Sequence, residues 1–246
     1  MKNINTIFIS LMVLAIASCT KGEALVQQGG SVRFELTGND FVAESTKAAV
    51  SDFTVVPSEE DFLLTITDAN SAVEWSGLFS EWDPETIILE GQYTAAVSSG
   101  TMSEEGFDKP YFFGSQDFSV VGGETVSVSL TAGLSNTVIT LSATERFKTY
   151  YSDYAFALTR NGVEVVAFDK DDTRAAFVDG YKITLEGTLQ SETKQYSFEK
   201  EFTALAPGTV YRISMDVDNM NGSTISVKFN DEVVEIIDLG DLELNE

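Results

Sequence analysis

Tyr154-Ala155-Phe156-Ala157-Leu158-Thr159-Arg160-Asn161-Gly162-Val163-Glu164-Val165-Val166-Ala167-Phe168 is the stretch that decides the fold. Two runs rich in aromatic and β-branched residues flank Asn-Gly, the dipeptide that accepts the positive φ angles of a two-residue hairpin turn. Residues 154–160 and 163–168 therefore read as antiparallel strands. Outward toward the carboxyl end, residues 181–187 and 195–202 pair across a polar turn. Residues 210–217, 224–229 and 233–237 follow as a meander turning at Asn221-Gly222 and Asn230-Asp231. Toward the amino end, residues 136–141 form a strand, and Ser142-Ala143-Thr144-Glu145 fits a capping box opening a short helix through Tyr151. Residues 118–121 and 124–130 around Gly122-Gly123 read as another hairpin, preceded by strands at 92–98, 73–75 and 62–67. Val32-Arg33-Phe34-Glu35-Leu36 alternates strictly, placing Val32, Phe34 and Leu36 on a core face and Arg33 and Glu35 in solvent.

Strands at intervals of about 10–12 residues, separated by turn signals, argue for β-sandwich rather than for helix alternating with strand. About a dozen strands are too many for one seven-stranded sandwich. The expected fold is all-β, with two consecutive β-sandwich domains at residues 31–133 and 134–246. They divide near Gly133, where a finished hairpin gives way to Leu134-Ser135-Asn136.

The amino terminus carries an address. Lys2 is the one charge before an almost wholly apolar run at residues 7–17, too short to cross the ~30 Å hydrocarbon of a bilayer and suited to a secretory leader. Ile16-Ala17-Ser18-Cys19 resembles the bacterial lipobox, in which the cysteine thiol takes a diacylglycerol and the preceding peptide is cut. Cys19 is the sole cysteine of the chain, and an unpaired thiol in an exported protein otherwise needs an explanation. Residues 1–18 are thus expected to be a lipoprotein signal peptide and Cys19 the lipidation site. Residues 19–30, small, polar and ending in Gly29-Gly30, form a tether. Acyl chains would then be the only membrane attachment, and the expected address is the outer membrane, on its surface or periplasmic face.

Charge excludes partners, and composition excludes chemistry. The 246 residues hold 39 Asp and Glu against 15 Lys and Arg, a net charge of −24, and no histidine. Such a balance repels nucleic acid and anionic headgroups, whose binding rests on Lys and Arg. Without histidine there is no Ser-His-Asp triad, no imidazole metal ligand and no side chain titrating near neutrality unperturbed. Carboxylates are the remaining acid-base groups: Glu59-Glu60-Asp61, Glu81 with Asp83 and Glu85, Glu104-Glu105, and Asp169 with Asp171-Asp172. In so acidic a chain adjacency arises by chance, and it does not establish the facing pair a glycosidase needs. A carboxylate-dependent glycosidase is therefore the last-ranked reading; no enzyme, no catalytic residue and no cofactor are expected.

Two acidic segments invite a calcium reading. Asp169-Lys170-Asp171-Asp172 lacks the glycine and the distal Glu of a calcium loop. Counting from Asp216, an EF-hand template puts Met220 at the fifth position and Val227 at the twelfth, where oxygen ligands are required. No metal site is expected. Among aromatics, Trp75 alternates as a strand residue and belongs to the core. Trp82, beside Asp83-Pro84 at the start of a loop, is the candidate ligand-binding residue, its ring suited to stacking on a sugar. Pro110-Tyr111-Phe112-Phe113-Gly114 reads as packing beneath a connection.

Several stretches carry a family likeness: Gly91-Gln92-Tyr93, Gly106-Phe107-Asp108-Lys109-Pro110-Tyr111-Phe112-Phe113-Gly114 with Phe118, Phe147 through Tyr154, Phe168 through Arg174, and Tyr211-Arg212-Ile213. Together they resemble a family of exported lipoproteins of Bacteroides-like bacteria known only as a domain of unknown function (family 4493). More distantly, the layout is similar to the fimbrillin-like pilin and adhesin lipoproteins of those bacteria, which are built of two Greek-key, transthyretin-like β-sandwiches. These polymerise after a trypsin-like protease cuts after an Arg and removes the first strand, opening a groove for a donor strand. The resemblance implies that residues 32–36 are that strand. It places protease processing at Lys47, in Ser45-Thr46-Lys47-Ala48, with Lys standing where the pilins have Arg. The implied role is a non-catalytic envelope lipoprotein, a surface adhesin or pilus-like structural component, with a glycan-binding surface module as the alternative. Its implied partners are the membrane, through Cys19, and proteins or glycans at the cell surface.

Overall fold

The computed structural model describes residues 28–39, 49–217, 224–229 and 232–238. The leader at 1–18, Cys19, Lys47 and the turns at Asn221-Gly222 and Asn230-Asp231 lie outside them. The protein is all-β. The first half supplies β1 (Gly29–Asn39), β2 (Leu63–Asp68), β3 (Val73–Leu78), β4 (Ile87–Leu89), β5 (Gly91–Ser99), β6 (Gly106–Phe107), β7 (Phe112–Val120) and β8 (Thr125–Leu134). The second supplies β9 (Thr137–Ala143), α1 (Glu145–Tyr150), β10 (Asp153–Arg160), β11 (Val163–Phe168), β12 (Ala176–Val178), β13 (Ile183–Gln190), β14 (Gln195–Phe202), β15 (Val210–Val217), β16 (Thr224–Phe229) and β17 (Glu232–Asp238).

The first seven-stranded sheet runs β3-β2-β5-β7-β8-β1-β4. Its β7–β8 ladder is restricted to Phe112↔Leu134 and Phe113↔Gly133, so the sheet folds over at that corner. The layer β3-β2-β5-β7 then faces β8-β1-β4, with Phe34 of β1 edge-on to Phe118 of β7, centroids 5.7 Å apart. This corrects the expected Gly122-Gly123 hairpin. The turn exists, closed by the Glu124 amide donating to the Val121 carbonyl at 3.1 Å, but only Gly123 takes positive φ. An unprimed turn splays its strands instead of zipping them, and β8 pairs instead with β1. At Asn161-Gly162, by contrast, both residues have positive φ (52° and 75°), and Arg160 sits directly opposite Val163.

In the second half, the sheet β11-β10-β13-β14 packs on the six-stranded sheet β17-β16-β15-β9-β12-β6 around a core holding Ile139, Phe147, Phe168, Leu185, Ile213 and Met215. The expected helix is present, but its cap is Thr144, whose Oγ1 accepts from the Phe147 amide at 3.2 Å. Ser142 stays in β9, because that strand continues its parallel ladder with β15 as far as Ala143↔Met215.

The two cores are not sealed from each other. Val138 of β9 pairs with Phe177 of β12 on one side and with Val210 of β15 on the other. All three side chains are fully buried, and all three belong to the first half's core. Partners in register point to the same face of a sheet, so this row closes the bottom of the first sandwich. The neighbouring Ile139, Ala176 and Val178 point the other way, into the second core.

Candidate functional site: the first strand and its slot

β1 lies parallel to β8 from Ser31↔Thr125 to Asn39↔Gly133. Its burial follows the alternation of its sequence: Val32 is wholly buried and Phe34 nearly so, while Arg33 and Glu35 face solvent. On the side away from β8, β4 covers only Gly29, Gly30 and Ser31. Beyond Ser31, among the described residues, no strand pairs with that edge.

The start of β1 is fixed by close backbone approach. A Cβ on Gly30 would come within 2.5 Å of the Val121 carbonyl oxygen, and one on Gly29 would collide with Ile87. The Gly123 amide donates to the Gly29 carbonyl at 2.9 Å, and the Ser31 amide to the Glu124 carbonyl at 3.0 Å. Gly29 and Gly30, read from sequence as the end of the tether, are thus the first residues of the strand; their lack of side chains serves contact instead of flexibility.

Trp82 is placed at the open edge. Its indole N–H donates to the Val32 carbonyl at 2.9 Å. Its ring meets Phe34 at 5.4 Å and Trp75 at 5.2 Å, both edge-on. Trp75, on β3, and Trp82 are each half-buried against the first core. The residue expected to offer a sugar platform thus donates its N–H to β1 just past the point where β4 stops and packs its ring against Phe34 and Trp75.

Several of the carboxylates singled out in the sequence have partners in the structure. Asp61 caps its turn through Ser58, Glu81 accepts from the Leu78 amide, and Glu104 pairs with Lys109 at 2.8 Å. Glu105 forms a two-pronged pair with Arg160 at 2.5 and 2.8 Å, and this contact holds the Arg160 guanidinium above its ordinary pKa. Asp171 accepts from Lys148 and from the Tyr154 hydroxyl, each at 2.8 Å. Those two contacts, Lys148 first, lower its pKa. Tyr154 is pushed up to about 12, by burial first and by Asp171 second. Asp172 is held low by Arg174, whose guanidinium also lies 3.8 Å over the Phe107 ring. Among the described residues no group of acids is placed to hold a metal ion, and no helix is long and apolar enough to cross a membrane.

Sequence reasoning identified β1 and its facing but missed β4, β6 and β12, each only two or three residues long, and the Glu105–Arg160 pair. Glu105 and Arg160 are 55 positions apart, and no periodicity links them.

Fold and slot together define a two-sandwich β protein whose first described strand is held on one side by a long parallel ladder and on the other by a three-residue strand and an indole. The family model described as Domain of unknown function (DUF4493) matches residues 29–239, and the chain belongs to that family. The match begins at the first residue of β1. No curated protein matches the chain. Among solved structures it is similar to a candidate adhesin from Bacteroides thetaiotaomicron, with 10% identity, TM-score 0.47, and coverage of 86% of this chain and 98% of that one. It is similar to the fimbrial anchor protein Mfa2 from Porphyromonas gingivalis, with 8% identity, TM-score 0.47, and 84% and 99% coverage. A third is a candidate polysaccharide-binding protein from Bacteroides thetaiotaomicron, with 12% identity, TM-score 0.46, and 82% and 96% coverage.

Proposed function

We propose that the protein is a non-catalytic, lipid-anchored component of a surface assembly, adhesin-like or pilus-like, joined to its neighbours by exchange of β1. One observation carries this reading. β1 buries Val32 and Phe34 in the first core, yet over most of its length it is paired on one side only among the described residues. Releasing such a strand uncovers the free edge of β8 and an apolar groove, which an extended segment of another molecule can fill by strand addition. The commitment of Glu104, Glu105, Asp171 and Asp172 to lysines and arginines supports the non-catalytic part of the reading. Cys19 is the proposed anchor, the outer membrane the proposed address, and Lys47 the proposed processing point; a cut there severs β1 from the rest of the first half.

Trypsin applied briefly to the folded protein, followed by size-exclusion chromatography, tests the exchange. The expected result is a cut at Lys47, loss of the β1 peptide and a shift to higher oligomers. A nicked monomer that keeps β1 bound overturns it. Cell fractionation of Cys19→Ala tests the anchor, and an unchanged membrane-bound fraction would refute it.

A further inference from the structure

Tyr181 stands out among the described aromatics because it is 67% exposed on a segment whose backbone is held by hydrogen bonds. The backbone around it is tied at three points. The Leu205 amide donates to the Tyr181 carbonyl at 3.1 Å, Arg160 donates to the Asp179 carbonyl, and the Asp179 amide donates to Glu105 at 2.6 Å. Lys182 is paired with Glu201.

Beside the ring opens a cleft of about 310 Å³ lined by Arg160, Asn161, Asp179, Tyr181, Lys182 and Thr184. Arg160 is spent on Glu105, and Lys182 on Glu201. The Asp179 carboxylate and the Asn161 amide are both exposed; the carboxylate feels the nearby Arg160 charge but its oxygens, like the amide, make no side-chain hydrogen bond among the described residues. The free groups are thus one flat aromatic face, one acceptor pair and one planar amide that both donates and accepts. Clefts that bind small ligands combine apolar surface with a few polar groups on fixed backbone, and a tyrosine on a pre-ordered loop gives contact area at little entropic cost.

We infer that this tip of the second sandwich is a saccharide-binding site. One neutral hexose ring lays its C–H face on Tyr181 while its hydroxyls bond the Asp179 carboxylate and the Asn161 amide. The volume suits one ring, or one ring with part of a second. An acidic sugar is disfavoured by Asp179 and by the net charge of −24. The larger cleft of about 500 Å³ beside Asp153, Tyr154 and Lys170 lacks an equivalent face, because its tyrosine is 5% exposed and its hydroxyl is bound to Asp171. The site lies in a different half from β1, so it stands whether or not β1 exchanges.

Full-length protein is tested against immobilised mannan, dextran and galactan, with heparin as the acidic control. Binding to at least one neutral glycan and none to heparin is expected. Tyr181→Ala then weakens binding tenfold or more at an unchanged melting temperature, because the ring is already in solvent. Tyr181→Phe retains most of the binding, and Asp179→Asn weakens it without loss of fold. Failure to bind any neutral glycan, stronger binding to heparin, or equal binding by Tyr181→Ala each overturns the proposal.

Discussion

Each half of the molecule contains a strand paired in parallel with a later one, and the two ladders behave oppositely. β1 alternates buried and exposed residues, Val32 and Phe34 inward and Arg33 and Glu35 outward. β9 buries Thr137, Val138 and Ile139 in succession. Alternation is what a strand with one wet face shows, and a continuous buried run is what a strand covered on both faces shows. The sheets agree: β1 is flanked by the three-residue β4, whereas β9 lies between β15 and β12 in the middle of six strands. β9 also serves both cores, Val138 in the first and Ile139 and Leu141 in the second. The same parallel plan thus produces one strand with a largely open edge among the described residues and one enclosed between two neighbours.

Breaking the locked ladder has the largest expected effect. Phe177 is in the second half of the chain but is fully buried in the first half's core. Phe177→Ala should cost about 4 kcal/mol, the usual scale for truncating a buried phenylalanine. Both tryptophans, Trp75 and Trp82, sit in the first half, so their fluorescence reports that half, while far-UV circular dichroism reports both. The denaturation midpoints of both signals should fall together. A fluorescence midpoint that stays put would mean that the row Phe177–Val138–Val210 does not couple the halves.

Loosening the other ladder comes next. Phe34→Ala should cost about 3 kcal/mol, because the ring is nearly buried and contacts Phe118 and Trp82. Here the fluorescence midpoint should drop more than the dichroism midpoint, and the β1 segment should become sensitive to protease. Trp82→Phe probes the same edge more gently. It removes the 2.9 Å bond to Val32, worth about 1 kcal/mol, and should speed release of β1 after trypsin treatment. An unchanged release rate would remove Trp82 from the role of pin.

Legibility in the sequence followed locality. The alternation at 32–36 and the Asn161-Gly162 turn are short-range patterns, and the strands and facing read from them match the structure. The parallel registers could not be read, since β1 and β8 meet across more than ninety residues and parallel pairing leaves no turn between the partners. The splayed β7–β8 pair was hidden because Gly122-Gly123 permits primed and unprimed turns alike, and competition from β1 decides which forms. Trp82 was legible as an aromatic at a loop start, but not as a donor to Val32, fifty positions away. Tyr181 carried no signal, because its exposure follows from Glu105 and Arg160 tying down a loop remote from both in sequence.

The smallest expected effect separates the ladders by pH. Where the β9–β15 ladder ends, Asp216 accepts from Thr144 Oγ1 at 2.7 Å and from the Val217 amide at 2.8 Å, and pairs with Arg146 at 3.1 Å. Burial by itself would raise its pKa, but these partners together take it below the ordinary 3.8. A carboxylate whose folded pKa is depressed adds stability that is fully present above the unfolded value and is lost as pH falls through the folded one. The second half should therefore lose this contribution below about pH 4. Asp216→Asn, which keeps an acceptor oxygen but not the charge, should be less stable than the parent at pH 7 and approach it near pH 2. The difference between the two proteins isolates this one group from the chain's many other acids. At the β1 edge, Arg33 and Glu35 project into solvent, so release of β1 by trypsin, assayed at pH 7 in both proteins, should be unaffected by the substitution. A gap between parent and variant that stays constant from pH 7 to pH 2 would show that Asp216 acts there only as a hydrogen-bond acceptor and not as a charge.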